Sequence, residues 1–322
     1  MLADYGIFLL KFLTVALVIG GFILIIVSAS RKGATPAGLK IVSINDDIAM
    51  REAQMRSALE SKRAFRKFKK DSARLKKAEK RRDDQSKKRV FVIDFKGDLR
   101  ATATASLREE ISAILAVAES ADEVVLRLEN AGGAVHEHGL AASQLVRLKS
   151  AGIRLTVAVD KIAASGGYLM ACVADHLIAA PFAIVGSIGV ILQMPNFHRF
   201  LEERGVDYEQ VTAGRFKRTL TMFGENTEAG REKLQQELED VHDLFKEQVA
   251  QQRPVVEIES IATGEHWYGT RALDLKLIDA VGTSDDFLAG LAESAEVYKV
   301  VWGRPKSMQE RLFGSVETLL AR

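Results

Sequence analysis

Short runs of β-branched and apolar residues alternate with helical patterns through the middle of this 322-residue chain. The runs occupy residues 89–95, 123–128, 153–159 and 176–180. Between them, apolar residues recur at helical spacing: Leu107, Ile111, Ile114, Leu115 and Val117, and then Leu140, Leu145, Val146 and Leu148. Strands separated by helices at intervals of about thirty residues need crossover connections, which are right-handed and pair the strands in parallel. The sequence therefore predicts an α/β fold with a mostly parallel sheet from Val90 onward.

Two further segments complete the predicted domain. A long amphipathic helix is expected at residues 227–252, with one stripe formed by Leu234, Leu238, Val241, Phe245 and Val249. The apolar run at residues 177–194 contains Pro181 and the turn-prone residues Gly186, Ser187 and Gly189. We interpret this run as two core strands joined by a turn, and a second membrane span is the alternative.

The N-terminus has a different character, because residues 12–29 contain no charged side chain. As a helix this segment would be about 27 Å long, close to the hydrocarbon thickness of about 30 Å in a bilayer. Ser28-Ala29-Ser30 resembles a cleavage site, so a removable signal peptide is the alternative. Since Arg31 and Lys32 follow at once, as in a stop-transfer segment, we predict a retained membrane anchor at residues 1–31.

A basic helical stalk or linker is predicted at residues 32–89. Residues 62–89 hold 15 Lys and Arg against 4 Asp and Glu, a net charge of +11, while the whole chain carries only +2. Such a stalk is either a solvated spacer or a contact for anionic lipid headgroups, and nucleic acid is a less favoured partner. The positive-inside rule would place it in the cytoplasm. The α/β domain is assigned to residues 90–300 and a tail to residues 301–322.

The cysteine and histidine content argues against a metal or cofactor site. Cys172 is the single cysteine, so an internal disulfide and a cysteine-rich metal site are excluded, and its apolar neighbours indicate a buried core residue. His136 and His138 lack the helical spacing of a zinc site, and His242 is assigned to a polar face of the long helix. His136 is the best histidine partner for a nearby serine, although a solvent-exposed loop histidine is the commoner reading.

Two glycine-rich turns follow predicted strands and suggest chemistry. Ser165, in Ala-Ala-Ser-Gly-Gly-Tyr at residues 163–168, lies where a strand passes into a helix, and exposed amides at a helix start suit a developing anion. Asn130-Ala131-Gly132-Gly133 follows the preceding strand, at the sheet edge where α/β proteins bind ligands. An ordinary helix cap and a plain turn are the respective alternatives. Lys217 is, from the residues alone, one basic residue among several.

Four ordered motifs resemble the signal peptide peptidase family of membrane-bound serine–lysine peptidases, and within it the SohB branch. They are AASGGY at 163–168, VGSIGV at 185–190, GRFK at 214–217 and TGEHWYGTRALDLKLIDA at 263–280. The resemblance covers residues 90–288 and implies a ClpP/crotonase-like spiral of βαβ units. It implies Ser165 as nucleophile and Lys217 as general base, with Ser187 orienting the lysine amine.

The resemblance also implies how substrate would be held. Gly132 or Gly133, together with Gly166, would supply the oxyanion-binding amides, and an extended peptide would lie along Ile188, Gly189, Val190 and Ile191. The chain departs from the family pattern in one place: the family often has Ser-Pro-Gly-Gly where this chain has Asn130-Ala131-Gly132-Gly133. Because proline stiffens a loop, its loss is expected to loosen this turn.

The function implied is that of a membrane-bound serine endopeptidase without cofactor or metal. Its substrates would be extended apolar peptides, such as signal-peptide remnants or misfolded membrane and envelope proteins. A homo-oligomer in the bacterial inner membrane is expected, with active sites near subunit interfaces and lysine supplied in cis or in trans. The family usually faces the side opposite to that indicated by the basic stalk, so the side remains open. A crotonase-like acyl-CoA enzyme and a non-catalytic membrane scaffold are the alternatives.

Overall fold

A computed structural model of the chain describes residues 6–7, 10–14, 17, 38–79 and 88–303. Residues 41–301 form one compact unit, and residues 1–40 with 302–322 form another. Most of the predicted anchor and nearly all of the predicted tail lie outside the described residues. Within the described residues, no helix is both long enough and apolar enough to cross a membrane.

The strands form two sheets. In chain order they are β1 (Gly38–Ser43), β2 (Arg89–Lys96), β3 (Glu123–Glu129), β4 (Arg154–Val159), β5 (Ile162–Ala164), β6 (His176–Ala179), β7 (Ile184–Gly186), β8 (His266–Tyr268), β9 (Ala280–Val281) and β10 (Glu296–Gly303). The larger sheet has the order β1-β10-β2-β3-β4-β6-β9, and the smaller one β5-β7-β8. The pairs from β10 through β9 are parallel, whereas β7 and β8 are antiparallel. The predicted α/β fold with a mostly parallel large sheet is confirmed.

The helices lie between the strands. They are α1 (Ile44–Leu59), α2 (Lys62–Glu79), α3 (Thr104–Leu115), α4 (Val135–Ser150), α5 (Gly166–Ala171), α6 (His198–Glu202), α7 (Glu228–Gln252), α8 (Ile258–Ile261), α9 (Gly269–Asp274) and α10 (Ser284–Ser294). Helix α7 occupies the segment predicted for the long helix, and its first turn is capped by Thr227, whose side chain accepts a hydrogen bond from Gly230 N–H.

Helices α3 and α4 cover the sheet with their apolar faces. Leu107, Ile111 and Ile114 of α3 are buried in the main core, and so are Leu145 and Leu148 of α4. Two residues assigned to these faces from the sequence were wrongly placed, because Val117 and Leu140 are exposed. Val117 follows the end of α3, and Leu140 lies on the outer side of α4.

The first part of the apolar run at residues 177–194 belongs to the core, as predicted, whereas residues 191–193 are exposed and do not form the predicted core strand. Leu177, Ala183 and Val185 are buried, and a turn closed by the hydrogen bond from Ala183 N–H to the Ala180 carbonyl joins β6 to β7. The second strand ends at Gly186, and residues 187–197 have no regular secondary structure. This early end leaves the backbone after Gly186 free to line the site described below.

Helix α1, in the predicted stalk, is joined to the C-terminal part of the compact unit. The Asn45 side chain donates to the carbonyls of Ala292 and Ala295 and accepts from Val297 N–H, with distances of 3.0, 3.0 and 2.8 Å. Helix α2 contacts α1 through the Arg56 guanidinium, which lies 4.6 Å from the centre of the Phe68 ring. The predicted helical stalk therefore contains a strand of the large sheet, β1, followed by a docked helix, α1.

Candidate active site

Ser165 occupies a sharp turn between β5 and α5. Its φ of 52° is unusual for a residue with a side chain, and its amide donates to the Gly186 carbonyl at 2.8 Å. Backbone conformations of this kind persist only where the surrounding structure holds them, and they cluster at functional sites. Ser165 is half-buried and lines the main cleft of the compact unit. The turn thus presents a serine side chain at the start of a helix.

The glycine turn after β3 lies directly against Ser165. Asn130 joins β5 through two backbone hydrogen bonds, from its amide to the Ile162 carbonyl at 2.8 Å and from Ala164 N–H to its own carbonyl at 3.0 Å. A Cβ atom at Gly132 would lie 2.7 Å from the Ser165 Cβ. Gly132 also has a φ of 90°, so this position requires glycine for both conformation and space.

The structure distinguishes between the two candidate amides of this turn. The Gly132 N–H donates to the Asn130 side-chain oxygen at 2.9 Å, so it is already engaged. The Gly133 and Gly166 N–H groups have no hydrogen-bond partner among the residues described. Because backbone amides away from bulk water need an acceptor, these two donors are the ones available to an anion.

The cleft beside Ser165 has a volume of about 1790 Å³ and mostly apolar walls. Of the residues predicted for the site, it is lined by Ser165, Gly132, Gly133, Gly166, Ser187, Gly189, Val190 and Ile191. Ile188 differs, because its side chain is fully buried and its carbonyl accepts from Gly264 N–H at 3.0 Å. Among the described residues that line the cleft, Arg100 is the one Lys, Arg, Asp or Glu.

Lys217 does not line this cleft. It lies in an exposed segment between α6 and α7, where its backbone amide donates to the Gly214 carbonyl at 3.1 Å. Its side-chain amine makes no hydrogen bond or ion pair with another residue in the described part of the chain. The same segment exposes large apolar side chains, including Val211, which is 98% exposed. One copy of the chain therefore brings Ser165 and Ser187 to the cleft without Lys217.

Two other basic side chains, His136 in the cleft and Lys161 four residues before Ser165, are both exposed. His136 lines the cleft, but its side chain is 84% exposed and lies 3.8 Å from the Glu137 carboxylate. Lys161 forms an exposed ion pair with Glu129 at 3.2 Å. Within the ranges described, no group of three or more His, Cys, Asp and Glu residues could hold a metal ion.

Three polar residues near the site have roles that the sequence did not predict. Asn130 and His138 are buried behind the glycine turn, with the His138 Nε2 atom 3.2 Å from the Asn130 Oδ1 atom. His242, assigned from the sequence to a polar helix face, lines the cleft and lies 3.3 Å from the Ile188 carbonyl. An asparagine two residues before a glycine is a turn signal that points to Asn130, because its side chain can accept the glycine amide.

Helix α5 is embedded in the core behind Ser165. The Tyr168 hydroxyl donates to the Leu277 carbonyl at 2.8 Å, and burial raises the pKa of Tyr168 above its ordinary value. Burial also raises the pKa of the Cys172 thiol to about 12. Cys172 is a core residue, as predicted. The helix that carries the serine turn is thus held on all sides by packed residues.

Comparison with known proteins links this site to a family of peptidases. Residues 147–298 match peptidase family S49, and residues 1–145 match its N-terminal model. A probable protease SohB from Haemophilus influenzae is 48% identical over 321 residues, which cover 96% of this chain and 91% of the relative. A probable protease SohB from Buchnera aphidicola subsp. Acyrthosiphon pisum is 55% identical over 240 residues, 73% of this chain and 71% of the relative.

Solved structures show a more distant likeness. The 1510-N membrane-bound stomatin-specific protease, as a mutant in complex with a substrate peptide, covers 72% of this chain and 98% of its own length. The TM-score is 0.45 and the identity 14%. At this distance the likeness supports no statement about activity.

Proposed function

Because the chain belongs to peptidase family S49 and is a serine peptidase, we propose that Ser165 is its nucleophile and Lys217 its general base. The observation that supports Ser165 most directly is its position: the strained serine lies beside two unpaired backbone amides, Gly133 N–H and Gly166 N–H, in one cleft. The fold would be a ClpP/crotonase-like spiral of βαβ units.

In the proposed reaction, the neutral Lys217 amine takes the Ser165 hydroxyl proton as the oxygen attacks the peptide carbonyl. The Gly133 and Gly166 amides bind the oxyanion of the tetrahedral intermediate. The Lys217 ammonium then gives its proton to the departing amine, leaving an acyl-enzyme on Ser165. Water, deprotonated by the same lysine, attacks the ester, and the lysine ammonium returns the proton to the Ser165 oxygen as the second product leaves. Neither a metal nor a cofactor takes part.

We propose that Lys217 reaches Ser165 from a second copy of the chain. A lysine amine in water is protonated near neutral pH, and burial is what favours the neutral form that a general base requires. In a single copy Lys217 is exposed and outside the cleft, so a neighbouring surface would supply this burial. The apolar side chains exposed around it, such as Val206, Val211 and Phe216, favour such an interface. Ser187 would hydrogen-bond the incoming amine.

The substrate would be an extended apolar peptide lying along Gly189, Val190 and Ile191. The backbone there follows a strand that ends early, so it can pair with a peptide by strand addition. The opposite wall is apolar and comes from α4 and α7, through Val146, Leu238 and others. Signal-peptide remnants and misfolded membrane proteins have this character, and a single N-terminal span in a bacterial inner membrane would place the enzyme beside them.

The test is peptidase activity of the full-length protein in detergent on an apolar peptide. Ser165→Ala and Lys217→Ala should each abolish turnover while leaving the oligomer intact. If the two variants are co-expressed in equal amounts, about one quarter of the clefts combine an intact serine with a neighbour's intact lysine, so about one quarter of the activity should return. Mixed oligomers without activity would exclude the lysine from a second copy. Full activity of Ser165→Ala would overturn the nucleophile.

A further inference from the structure

A buried polar pair lies behind the glycine turn, where the proposed mechanism uses neither residue. His138 is completely buried, and Asn130 is 1% exposed. Buried polar side chains are costly unless they are hydrogen-bonded, so their partners indicate what they do. Here the partners belong to the turn that carries the proposed oxyanion amides.

The orientation of Asn130 follows from its contacts. Its Oδ1 atom accepts the Gly132 N–H at 2.9 Å, which only an oxygen can do. Its Nδ2 atom lies 3.4 Å from the Met170 sulfur. The His138 Nε2 atom, 3.2 Å from the same Oδ1, must therefore carry a proton and donate it. The His138 Nδ1 atom lies 3.0 Å from the Ala134 carbonyl oxygen of the same helical turn.

The pair contacts Gly132, which precedes one proposed oxyanion donor, and Gly166, which carries the other. Asn130 holds the Gly132 amide and so sets the peptide plane that precedes the Gly133 N–H. The His138 ring packs against Gly166, since a Cβ atom there would lie 2.5 Å from the His138 Cγ atom. One hydrogen bond between Asn130 and His138 therefore links the backbone on one side of the anion site to the backbone on the other.

We propose that Asn130 and His138 are positioning residues that fix the relative placement of the Gly133 and Gly166 amides. In this chain they replace the stiffness that a proline would give, because residue 131 is alanine. The missing proline was expected to loosen the turn, but the Asn130 side chain holds the turn by accepting the Gly132 N–H. The inference rests on the proposed function, in which these amides stabilise the oxyanion at Ser165.

The expected effect falls on the transition state. Loss of one oxyanion donor costs about 100- to 1000-fold in kcat, and a displacement of about 1 Å can cost about 100-fold. His138→Leu keeps the volume but removes the donor to Asn130, so kcat should fall about 10- to 100-fold with KM within about twofold. His138→Gln can still present an N–H toward Asn130 and should retain most of kcat.

A matched control is available on the same helix. Gln144 is also a nearly buried polar residue of α4, but its hydrogen bond is with Arg147, away from the glycine turn. Gln144→Leu should leave kcat and KM close to their wild-type values. If His138→Leu fails to fold, His138→Phe keeps a ring against Gly166 and serves in its place.

The experiment measures kcat, KM and inhibition by a peptide aldehyde, whose adduct with Ser165 carries an oxyanion. For His138→Leu the aldehyde should bind more weakly by the same factor as the loss in kcat. Binding of the uncleaved peptide should be equal in Ser165→Ala and in Ser165→Ala combined with His138→Leu. Equal losses in the leucine and glutamine variants, or a loss confined to KM, would overturn the positioning role.

The two proposals can fail separately. If Ser165→Ala keeps its activity, the proposed function is wrong. If Ser165→Ala is inactive and folded His138→Leu has wild-type kcat and aldehyde affinity, only the positioning role is wrong.

Discussion

Gly132→Ala is the substitution for which the structure makes the sharpest prediction. The new methyl group would lie 2.7 Å from the Ser165 Cβ, 2.8 Å from the Ala164 carbonyl oxygen and 2.9 Å from the Gly166 amide. Carbon atoms in contact normally lie about 3.5 to 4.0 Å apart. The neighbours are backbone atoms and the root of a side chain, so they can yield only if the turn itself moves. A shift of roughly 1 Å between Ser165 and the amides is expected.

The substitution has two separable costs. The first is conformational, since φ at Gly132 is 90° and a side chain in the left-handed region costs about 1 to 2 kcal/mol. The second is the displacement of Ser165, which should lower kcat/KM by about 100-fold. Only the second depends on the position of the glycine beside the nucleophile.

Gly152→Ala isolates the first cost. Gly152 has a φ of 73° and nothing within 4 Å of an added Cβ, so alanine there is strained but meets no neighbour. A stability loss of 1 to 2 kcal/mol corresponds to a fall in Tm of roughly 2 to 8 °C in a domain of this size. Gly152→Ala should show such a fall in a thermal scan, with kcat/KM within about twofold of wild type.

Gly132→Ala should show at least the same fall in Tm together with the loss of activity. Both variants need to be folded at the assay temperature, as judged by circular dichroism. A folded Gly132→Ala enzyme with kcat/KM within about threefold of wild type would refute the close approach of the glycine turn to Ser165.

Three further predictions concern other parts of the molecule. Because burial raises the pKa of Cys172 to about 12, the native protein should resist iodoacetamide at pH 8 and react only after unfolding in urea. Burial alone would raise the pKa of Asp279, but the hydrogen bonds from Arg253 and from a backbone amide hold this pKa below its usual range. The Asp279 carboxylate therefore stabilises the fold above about pH 4, and this contribution is lost as the pH falls through the lowered pKa. Arg253→Leu should therefore cost about 3 kcal/mol in urea unfolding at pH 7, and less at acid pH. Arg100 should favour an apolar peptide with Glu over one with Lys by about threefold at low salt, and Arg100→Gln should remove the preference in kcat/KM.

Four neighbouring strands of the large sheet could be predicted from the sequence because they are largely buried on both sides, whereas β1, β9 and β10 were not predicted. Such strands appear as nearly continuous apolar runs, and β2, β3, β4 and β6 each fall within two residues of the predicted bounds. The small sheet was not predicted as a sheet, because β5 and β8 have three residues each and short runs carry no periodicity. Nor could the sequence show that Asn45 docks α1, since its partners lie about 250 residues away.

The site was predictable where its geometry follows from the sheet. The two turns follow the neighbouring predicted strands that became β3 and β4, so their meeting could be expected. The short β5 of the small sheet, which directly precedes Ser165, could not. The choice between Gly132 and Gly133 could not, because it depends on a side-chain hydrogen bond from Asn130 that exists only in the folded turn. His242 was misplaced for a similar reason. Apolar periodicity separates the buried face of a helix from the exposed face, but it does not show which polar residues line a cleft.

The proposed nucleophile and base differ in how strongly one folded chain determines their positions. Ser165 is fixed by strand pairing, by its hydrogen bond to Gly186 and by a packed helix behind it. Lys217 lies in a segment whose apolar side chains are exposed and whose backbone makes few hydrogen bonds. A motif around Lys217 can therefore indicate its chemical role, whereas its position relative to Ser165 depends on a contact that a single chain does not contain. If the lysine comes from a second copy, dilution below the assembly concentration should abolish activity while the turn at Ser165 stays intact.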